Sequence, residues 1–285
     1  MKNSQKLKHI LITGCSSGIG LEAAKLLHAR GHKVVASVRQ SADLRQFQAL
    51  GIACVLLDLD NDVSITAGLN QALRRLDSRI DVLFNNAAFG QPGAVEDLNR
   101  QVLQAQFNTN VFGTQQLTNQ VIKIMRQQGV GRIVYNSSVL GLVALPYRGA
   151  YNASKFAIEG LADTLRLELR GSGILVSLIE PGPILSQFRA NAFAKYQQHI
   201  DKTSSAHQHV YQSMENRLTK TGPAAPFTLS ASAVVDKLVH AVEAERPKIR
   251  YFVTFPTYLL ATLKRLLPGR ALDWVLCKIS ANEQR

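Results

Sequence analysis

Short apolar runs alternate along the chain with longer stretches in which apolar residues recur at helical spacing. The runs lie at 9–13, 33–38, 53–57, 82–85, 132–135 and 174–179, with a further candidate at 249–253. The run ILVSLI at 174–179 has almost no polar position, which is typical of a strand buried on both faces. Alternation of such strands with helix-length connections predicts an α/β fold with one parallel, doubly wound sheet and right-handed crossovers.

Helical spacing is found at 94–128, 151–170 and 230–244, and Gly171 ends the second of these stretches. The connections before the second and fourth strands are long enough for a helix, whereas the one before the third is shorter. A chain of 285 residues with 46% hydrophobic residues can bury one large core, so we expect a single domain over 1–285.

Two segments depart from this alternation. Residues 185–229 are rich in Gln, His, Lys and Ser with aromatic residues spaced among them, and they are too long for a plain connection. We expect a helical lid there, and a disordered loop is the alternative. Residues 256–285 hold two amphipathic stretches with basic residues. Such a C-terminal extension could pack over the pocket, form a dimer interface or lie on an acidic membrane surface.

A glycine loop follows the first predicted strand directly. It reads TGCSSGIG at 13–20 and opens a helical pattern, which is the start of a βαβ unit. Glycines are needed where the backbone turns tightly and approaches a pyrophosphate, whose charge then lies against helix N–H groups. The spacing of Gly14, Gly18 and Gly20 departs from the general dinucleotide fingerprint, but its position after a strand supports the same function.

The end of the second predicted strand indicates which dinucleotide is bound. An acid is expected there to hold the ribose hydroxyls of NAD, but the chain has Ser37, Val38 and Arg39. An arginine would instead bind a 2′-phosphate, so we expect NADP(H), with NAD(H) as the alternative if Arg39 is an ordinary surface residue. Asp58, after the third strand, is placed for the adenine edge or for helix capping.

A serine pair, a tyrosine and a lysine follow the fifth predicted strand. Ser137 and Ser138 lie where that strand ends, at the edge where open α/β sheets bind ligands. Tyr151 and Lys155 are one helical turn apart on one face, so the ammonium would lower the pKa of the phenol and suit it to acid–base chemistry. Taken alone, this pair is also compatible with an ordinary surface helix.

Together these motifs resemble those of the short-chain dehydrogenase/reductase family, over roughly residues 7–190. The matching motifs are the glycine loop, Asn-Asn-Ala-Ala at 85–88, Asn110, Ser138, Tyr151, Lys155 and Pro-Gly at 181–182. The likeness is greatest to NADP-dependent aldehyde, ketosteroid and retinol-type reductases of that family. It implies a seven-stranded Rossmann-like sheet with helices on both faces and a catalytic tetrad. The tetrad is Asn110, Ser138, Tyr151 and Lys155.

The resemblance also implies what each residue does. NADPH would give a hydride to a carbonyl carbon while Tyr151 protonates the oxygen, and Ser138, rather than Ser137, would hydrogen-bond that oxygen. Lys155 would bind the nicotinamide ribose, and Asn110 would hold a water in a proton relay. The candidate cofactor-binding residues are Gly14, Ser16, Ser17, Gly18, Ile19, Gly20, Arg39, Asp58, Leu59, Asn86, Ala87, Tyr151, Lys155, Pro181, Gly182, Ile184 and Ser186.

Two positions depart from the family pattern. Ala88 stands where the family usually has glycine, so we expect a slightly different backbone passage there. Ser186 stands where a threonine commonly holds the cofactor carboxamide. Because serine keeps the hydroxyl, we expect the function of that position to be retained.

Charge and cysteine content argue against several other classes. The net charge is +13, but the basic residues are dispersed without the dense block of a nucleic-acid-binding arm, so we expect no nucleic-acid partner. The 3 cysteines show no disulfide or metal-ligand pattern, which fits a reducing, cytoplasmic location without a metal site. We recognise no secretory signal or spanning segment, and the alternative to a purely cytoplasmic protein is peripheral contact with the inner membrane surface.

The substrate is expected to be a small lipophilic aldehyde or ketone. Leucines beside the catalytic strand and the aromatic residues of the lid suggest an apolar pocket, although Leu140, Leu142, Val143 and Leu145 also suit an ordinary core. The competing functions are an NAD-linked alcohol, hydroxysteroid or retinol dehydrogenase that works oxidatively, and a non-catalytic NADP-sensing protein. The family resemblance implies a homodimer or homotetramer.

Overall fold

The alternating apolar runs form one parallel sheet in the computed structural model, which describes residues 6–281. The strands are β1 (His9–Ile12), β2 (Lys33–Val38), β3 (Ala53–Leu56), β4 (Val82–Asn85), β5 (Gly131–Asn136), β6 (Ile174–Glu180) and β7 (Arg250–Phe252). Within this part of the chain their order is β3-β2-β1-β4-β5-β6-β7. The order reverses between β1 and β4, and doubly wound sheets bind ligands in the crevice at the carboxyl ends of such strands.

Helices cover both faces of the sheet. They are α1 (Gly18–Ala29), α2 (Leu44–Ala49), α3 (Asp62–Arg75), α4 (Arg100–Phe107), α5 (Thr114–Gln128), α6 (Gly149–Glu168), α7 (Phe188–His199), α8 (Gln208–Thr219), α9 (Ala231–Glu243), α10 (Phe255–Leu266) and α11 (Gly269–Ala281). In β1, Ile10 and Ile12 share a buried cluster with α1 and α9, whereas Leu11 packs with α3, α5 and α6. The predicted seven-stranded Rossmann-like fold is therefore confirmed.

The stretch 94–128 is not one helix, although its spacing suggested one. A 3₁₀ turn (Val95–Asp97) and α4 come first, and the chain then widens into a π-helical segment (Asn108–Gly113) before α5. The widened segment buries Asn110 and brings Gly113 against the backbone of Leu59. Contacts with distant parts of the chain, which hydrophobic periodicity does not report, interrupt the helix here.

Smaller corrections concern the boundaries of other elements. The short connection before β3 contains the helix α2, which buries Phe47. Helix α6 begins at Gly149 rather than at Tyr151, since the N–H of Asn152 already donates to the carbonyl of Arg148 at 2.8 Å. The candidate strand at 249–253 is confirmed as β7, which runs parallel to β6.

The two appended segments are helical. The lid, 185–229, contains α7 and α8. Their apolar sides meet in a small buried cluster to which α7 contributes Tyr196 and α8 contributes Tyr211 and Met214. In the C-terminal extension, α10 and α11 place Leu260 and Leu276 on the loop that follows β5. Residues 282–285 of the extension lie outside the described part. No helix within residues 6–281 is long and apolar enough to cross a bilayer.

Candidate active site

The glycine loop lies so close to β4 that two of its positions have no room for a side chain. Gly14 has φ of 69°, and a methyl group on it would lie 2.7 Å from the Cα of Ala87. A methyl group on Gly20 would lie 2.2 Å from the carbonyl oxygen of Gly14. Helix α1 begins at Gly18, and the side chain of its N-cap, Ser17, makes no capping bond to a described residue. The first amides of α1 can therefore bind an anion.

Asn86 fastens this loop to the carboxyl ends of the neighbouring strands. Its side-chain amide donates to the carbonyls of Thr13 (2.9 Å) and Gly14 (3.0 Å). The hydroxyl oxygen of Thr13 accepts the backbone N–H of Asn86 and of Ala87, each at 3.0 Å. Asn136, at the end of β5, donates to Asn86 Oδ1 at 2.9 Å. These bonds hold the loop at a fixed separation from β5.

Ser138, Tyr151 and Lys155 converge beyond the carboxyl end of β5. Ser138 caps the 3₁₀ turn Val139–Gly141 by accepting a backbone N–H at 3.1 Å, and its hydroxyl lies near the phenol of Tyr151, whose pKa it acts to lower. From the next turn of α6, Lys155 Nζ donates to the carbonyl of Asn136 at 2.7 Å. The same ammonium lies 5.6 Å from the centroid of the Tyr151 ring. A hydroxyl, a phenol and an ammonium are thus brought together at one sheet edge.

Ser137 has a different partner. Its hydroxyl donates to the carboxylate of Glu159, which lies one turn beyond Lys155 on α6. Ser137 is thus engaged by Glu159, whereas Ser138 is the serine that acts on the phenol of Tyr151.

Burial dominates the electrostatics of this group. Burial raises the pKa of Tyr151 above its ordinary value, and the hydrogen bond from Ser138 only partly offsets this. Burial lowers the pKa of Lys155 to about 8, against the opposing effect of the Glu159 carboxylate. The expected lowering of the tyrosine pKa by Lys155 is therefore not what this structure shows, because the ammonium lies over the ring and bonds to a backbone carbonyl.

Asn110 reaches the same region from the π-helical segment. Its side-chain amide donates to the carbonyl of Phe89 (2.9 Å) and to the hydroxyl of Ser154 on α6 (3.0 Å). Its Oδ1 accepts the N–H of Phe89 at 3.1 Å. These bonds use both amide hydrogens, so Asn110 joins the loop after β4 to the helix that carries Tyr151. The loop includes Ala88, which is half-buried there.

The remaining candidates on the β2–β3 side are more open. Arg39 is exposed directly after β2, and its guanidinium makes no hydrogen bond or ion pair with another described residue. The carboxylate of Asp58 accepts the N–H of Asp60 at 3.0 Å. The capping alternative for Asp58 is wrong, because Asn61 caps α3 by accepting the N–H of Ser64 at 2.8 Å.

Three further candidate cofactor-binding residues, Ser16, Ile19 and Leu59, also make contacts within the fold. The carbonyl of Ser16 accepts a bond from Gln46 at 3.1 Å, and Ile19 packs against the α1–α9 cluster. Leu59 is buried beneath Gly113.

The segment from Pro181 to Ser186 connects β6 to the lid. The carbonyl of Pro181 accepts the N–H of Val139 at 2.8 Å, which ties this segment to the turn after Ser138. Gly182 passes so close to Thr254 that a methyl group would lie 2.1 Å from its hydroxyl oxygen. Ile184 forms an isolated bridge with Leu229, at the other end of the lid.

The lid meets the site at two points. Ser186 lies beside the glycine loop, since a methyl group on Gly18 would be 3.3 Å from its Cβ. The first residue of α7, Phe188, sets its ring 5.2 Å from that of Tyr151 in an edge-to-face contact. Phe188 is one of the lid aromatic residues that suggested an apolar pocket, but its contact with Tyr151 was not predicted, because the partner lies in another element. Glu159 was also missed, although its spacing from Lys155 on one helix face could have indicated it.

Comparisons with known proteins agree with this geometry. The model of the short chain dehydrogenase family matches residues 8–197. The uncharacterized oxidoreductase YbbO of Escherichia coli strain K12 is 44% identical over 269 residues, covering 94% of each chain. Human 17-beta-hydroxysteroid dehydrogenase type 1 is 33% identical over 255 residues, covering 86% of this chain and 77% of the human one.

Solved structures share the fold. A short-chain dehydrogenase/reductase from Burkholderia phymatum in complex with NAD superposes with a TM-score of 0.77 at 26% identity, covering 95% of each chain. A parallel seven-stranded sheet, a glycine loop and a Ser–Tyr–Lys group define an oxidoreductase that acts on CH–OH or C=O groups. The chain belongs to the short-chain dehydrogenase family.

Proposed function

We propose that this protein is an NADP-dependent oxidoreductase that reduces the carbonyl of a lipophilic aldehyde or ketone to an alcohol. The observation that carries the proposal is the contact of Tyr151 with both Ser138 and Lys155 beyond β5. This arrangement places a proton donor and a hydrogen-bond donor side by side, next to a loop suited to a pyrophosphate.

In the proposed reduction, the nicotinamide supplies the hydride when bound. Tyr151 gives its proton to the carbonyl oxygen, and burial keeps the phenol protonated until that step. Ser138 donates to the same oxygen as negative charge develops. Lys155, with a pKa of about 8, is mostly charged at neutral pH and binds the ribose hydroxyls. By family resemblance, Asn110 holds a water of the proton relay that returns the proton to the phenol.

The preference for NADP rests on Arg39. Arg39 directly follows β2, at the position where an acid would favour NAD. Its side chain is exposed and makes no hydrogen bond or ion pair with another described residue. A guanidinium there supports charge-assisted bonds to a 2′-phosphate. The structurally similar Burkholderia phymatum enzyme binds NAD, so an NAD-linked dehydrogenase working oxidatively is the second candidate.

The lipophilic substrate is supported by the surroundings of the phenol. Tyr151 packs against an apolar cluster that includes Leu140, Val143 and Leu145 together with Leu276 of the C-terminal extension. Leu140 and Val143 are buried, so they belong to the core as well as lining this region. The name of the similar human enzyme, a 17-beta-hydroxysteroid dehydrogenase, denotes a large apolar substrate.

The proposed homodimer or homotetramer is supported by exposed apolar side chains on the helices that cover the sheet. Phe112, Phe156 and Leu167 are exposed on the π-helical segment and α6. Light scattering of the purified chain measures the oligomeric state, and a monomer at micromolar concentration would contradict this proposal.

The test of function measures NADPH and NADH oxidation with a panel of aliphatic and aromatic aldehydes, retinal and ketosteroids. We expect turnover with NADPH, and we expect Tyr151→Phe to reduce it by about a hundredfold to ten-thousandfold because the proton donor is lost. Retained NADPH binding by the variant serves as the control for folding. Near-normal turnover of Tyr151→Phe would contradict the proposal, and faster turnover with NADH would favour the second candidate.

Cofactor preference is tested with Arg39→Asp. We expect KM for NADPH to rise about tenfold or more, because hydrogen bonds to charged groups contribute about 1.5–3 kcal/mol. Arg74→Asp, at an exposed position on α3, makes the same charge change away from the glycine loop and should leave KM unchanged. Equal effects of the two substitutions would mean that Arg39 acts only through net charge.

A further inference from the structure

The outer face of the C-terminal helices is apolar although it faces solvent. The outer face is defined here as Phe227 and five exposed apolar residues of α10 and α11, which are Phe255, Tyr258, Leu259, Leu266 and Trp274. In α10 the spacing i, i+3, i+4 and i+11 puts the four residues of that helix on one side. Leu266 is 73% exposed and Trp274 is 64% exposed, so these large side chains are not covered by the described part of the chain.

The inner sides of the same helices are already used. Leu260 of α10 and Leu276 of α11 pack on one cluster, with Val139, Leu140 and Val143 after β5. Because both helices rest on that cluster, their opposite sides point away from the protein. The exposed residues are therefore not a second half of the core, and their apolar area needs another explanation.

The backbone adds an independent observation at the edge of this face. Phe227 has φ of 58°, a left-handed conformation that is unfavourable for a residue with a large side chain. Its ring is nevertheless 59% exposed and lies 5.0 Å from the ring of Phe255. Strain without burial at this position suggests that the ring serves a contact outside the fold.

Basic residues accompany the apolar ones. The segment 255–281 has Lys264, Arg265, Arg270 and Lys278 but a single acid, Asp273. The Nζ atom of Lys278 lies 5.6 Å from the ring centroid of Trp274, which is one helical turn earlier on α11. Aromatic rings beside long basic side chains are typical of helices that lie in the interface of an anionic bilayer. A two-fold contact with a second copy would instead bring together two faces of the same positive charge, which is unfavourable.

We propose that the outer face of α10 and α11 docks on the surface of a membrane that contains anionic phospholipid. Both helices lie flat with their apolar side chains among the acyl chains near the headgroups, and their basic side chains contact phosphate. Since Leu276 and Tyr151 belong to one cluster, docking brings the proposed catalytic site close to the lipid surface. The docking itself does not depend on the identity of the substrate or on turnover.

The single tryptophan of the chain, Trp274, makes this proposal directly measurable. The full chain is mixed with vesicles of phosphatidylcholine alone or of phosphatidylcholine with phosphatidylglycerol, and it is followed by flotation and by tryptophan emission. We expect flotation and a shift of emission to shorter wavelength only with the anionic vesicles, both weakened by salt.

Matched variants of the full chain locate the contact. Tyr258→Gln with Leu266→Gln should weaken vesicle binding by about tenfold or more, and Arg265→Gln with Lys278→Gln should weaken it and reduce its salt dependence. Val63→Gln with Val130→Gln changes two exposed apolar residues outside the C-terminal helices and should bind as the unchanged chain does. All these positions are exposed, and circular dichroism checks that each variant folds.

Three results would overturn the proposal. One is the absence of both flotation and emission shift with anionic vesicles at low salt. Another is an equal loss of binding in the control variant. The third is an emission shift that grows with protein concentration without lipid, which would show that a second copy covers the outer face. None of them bears on the oxidoreductase proposal, because no arm of the experiment measures turnover.

Discussion

Backbone contacts decide whether single glycines in helical segments can be replaced. Gly113 ends the π-helical segment, and a methyl group on it would lie 1.8 Å from the carbonyl oxygen of Leu59. Gly160 lies within α6, and nothing is within 4 Å of the same methyl position there. Backbone atoms already occupy the methyl position at Gly113, whereas the methyl position at Gly160 is open. Close packing therefore requires glycine at the first position and not at the second.

We expect Gly113→Ala to lower the free energy of unfolding by about 1–3 kcal/mol, the usual cost of forcing an extra group into a packed interior. The matched change Gly160→Ala should raise it by up to ~1 kcal/mol, because alanine loses less backbone freedom in a helix than glycine. Urea titration followed by circular dichroism measures both. If both substitutions changed stability in the same direction, the contact with Leu59 would not be the reason for Gly113.

Proximity that follows from local spacing could be predicted from the sequence. Tyr151 and Lys155 lie one helix turn apart, and Ser138 lies beside Tyr151. Prediction failed where the partner is distant in the chain. Glu159 bonds to Arg250, 91 positions away, and neither residue carries a local signal of that contact.

Arg250 joins three secondary-structure elements beneath the site. Its guanidinium bonds to Glu159 and Asp163 of α6 and to Glu180 at the end of β6. Three carboxylates thus share one positive charge. Glu180 is fully buried, and its Oε2 has no partner among the described residues. Burial, together with the Glu159 carboxylate, raises the pKa of Glu180 to about 8. This carboxyl therefore binds its proton more tightly in the folded protein than in the unfolded chain.

The raised pKa has a definite consequence for stability. A carboxyl that binds its proton more tightly in the folded state contributes stability below its ordinary pKa of 4.5, and loses this contribution as the pH rises through about 8. We expect Glu180→Gln, which copies the neutral acid, to remove this part of the decline, by at most ~1.4 kcal/mol per pH unit. Urea titrations from about pH 5 to pH 9 measure the two profiles.

Glu243 provides a control, because its pKa is shifted in the opposite direction from that of Glu180. Burial raises the pKa of its carboxyl, but bonds from Arg30 and His32 outweigh burial and lower it below the ordinary value. Its contribution is present above the ordinary pKa and is lost as the pH falls, so Glu243→Gln should reduce stability at neutral pH and flatten the acid end of the profile. Parallel profiles for wild type and Glu180→Gln would mean that Glu180 is charged in the fold.

The strands were easier to predict than the helices. Most strand positions are apolar, because both faces of a parallel sheet are covered, and all seven predicted runs appear in the sheet. Helical spacing in 94–128 was real, but it did not reveal the π-helical segment that Asn110 and Gly113 require. Periodicity reports which side of an element is buried and not where another part of the chain interrupts it.

At the scale of the whole molecule, the lid packs apart from the two faces of the sheet. Its helices α7 and α8 form a buried cluster that also contains Ala94 and is distinct from the clusters on the two sheet faces. Polar contacts tie it to the 3₁₀ turn Val95–Asp97, where Asp97 accepts the hydroxyls of Ser205 (2.6 Å) and Tyr211. His207 also pairs with Glu96 at 2.7 Å. A unit attached in this way can move without disturbing the sheet.

We expect Asp97→Ala to loosen the lid alone. Loss of the two hydroxyl bonds to this carboxylate, each worth about 1.5–3 kcal/mol, should make amide hydrogens of α7 and α8 exchange at least about tenfold faster with deuterium. Those of β1, β4 and β5 should exchange as before, because their protection comes from the clusters on the sheet. Asp236→Ala, at an exposed position on α9, is the matched control and should change neither region. Faster exchange in β4 as well as in the lid would mean that the lid and the sheet unfold as one unit.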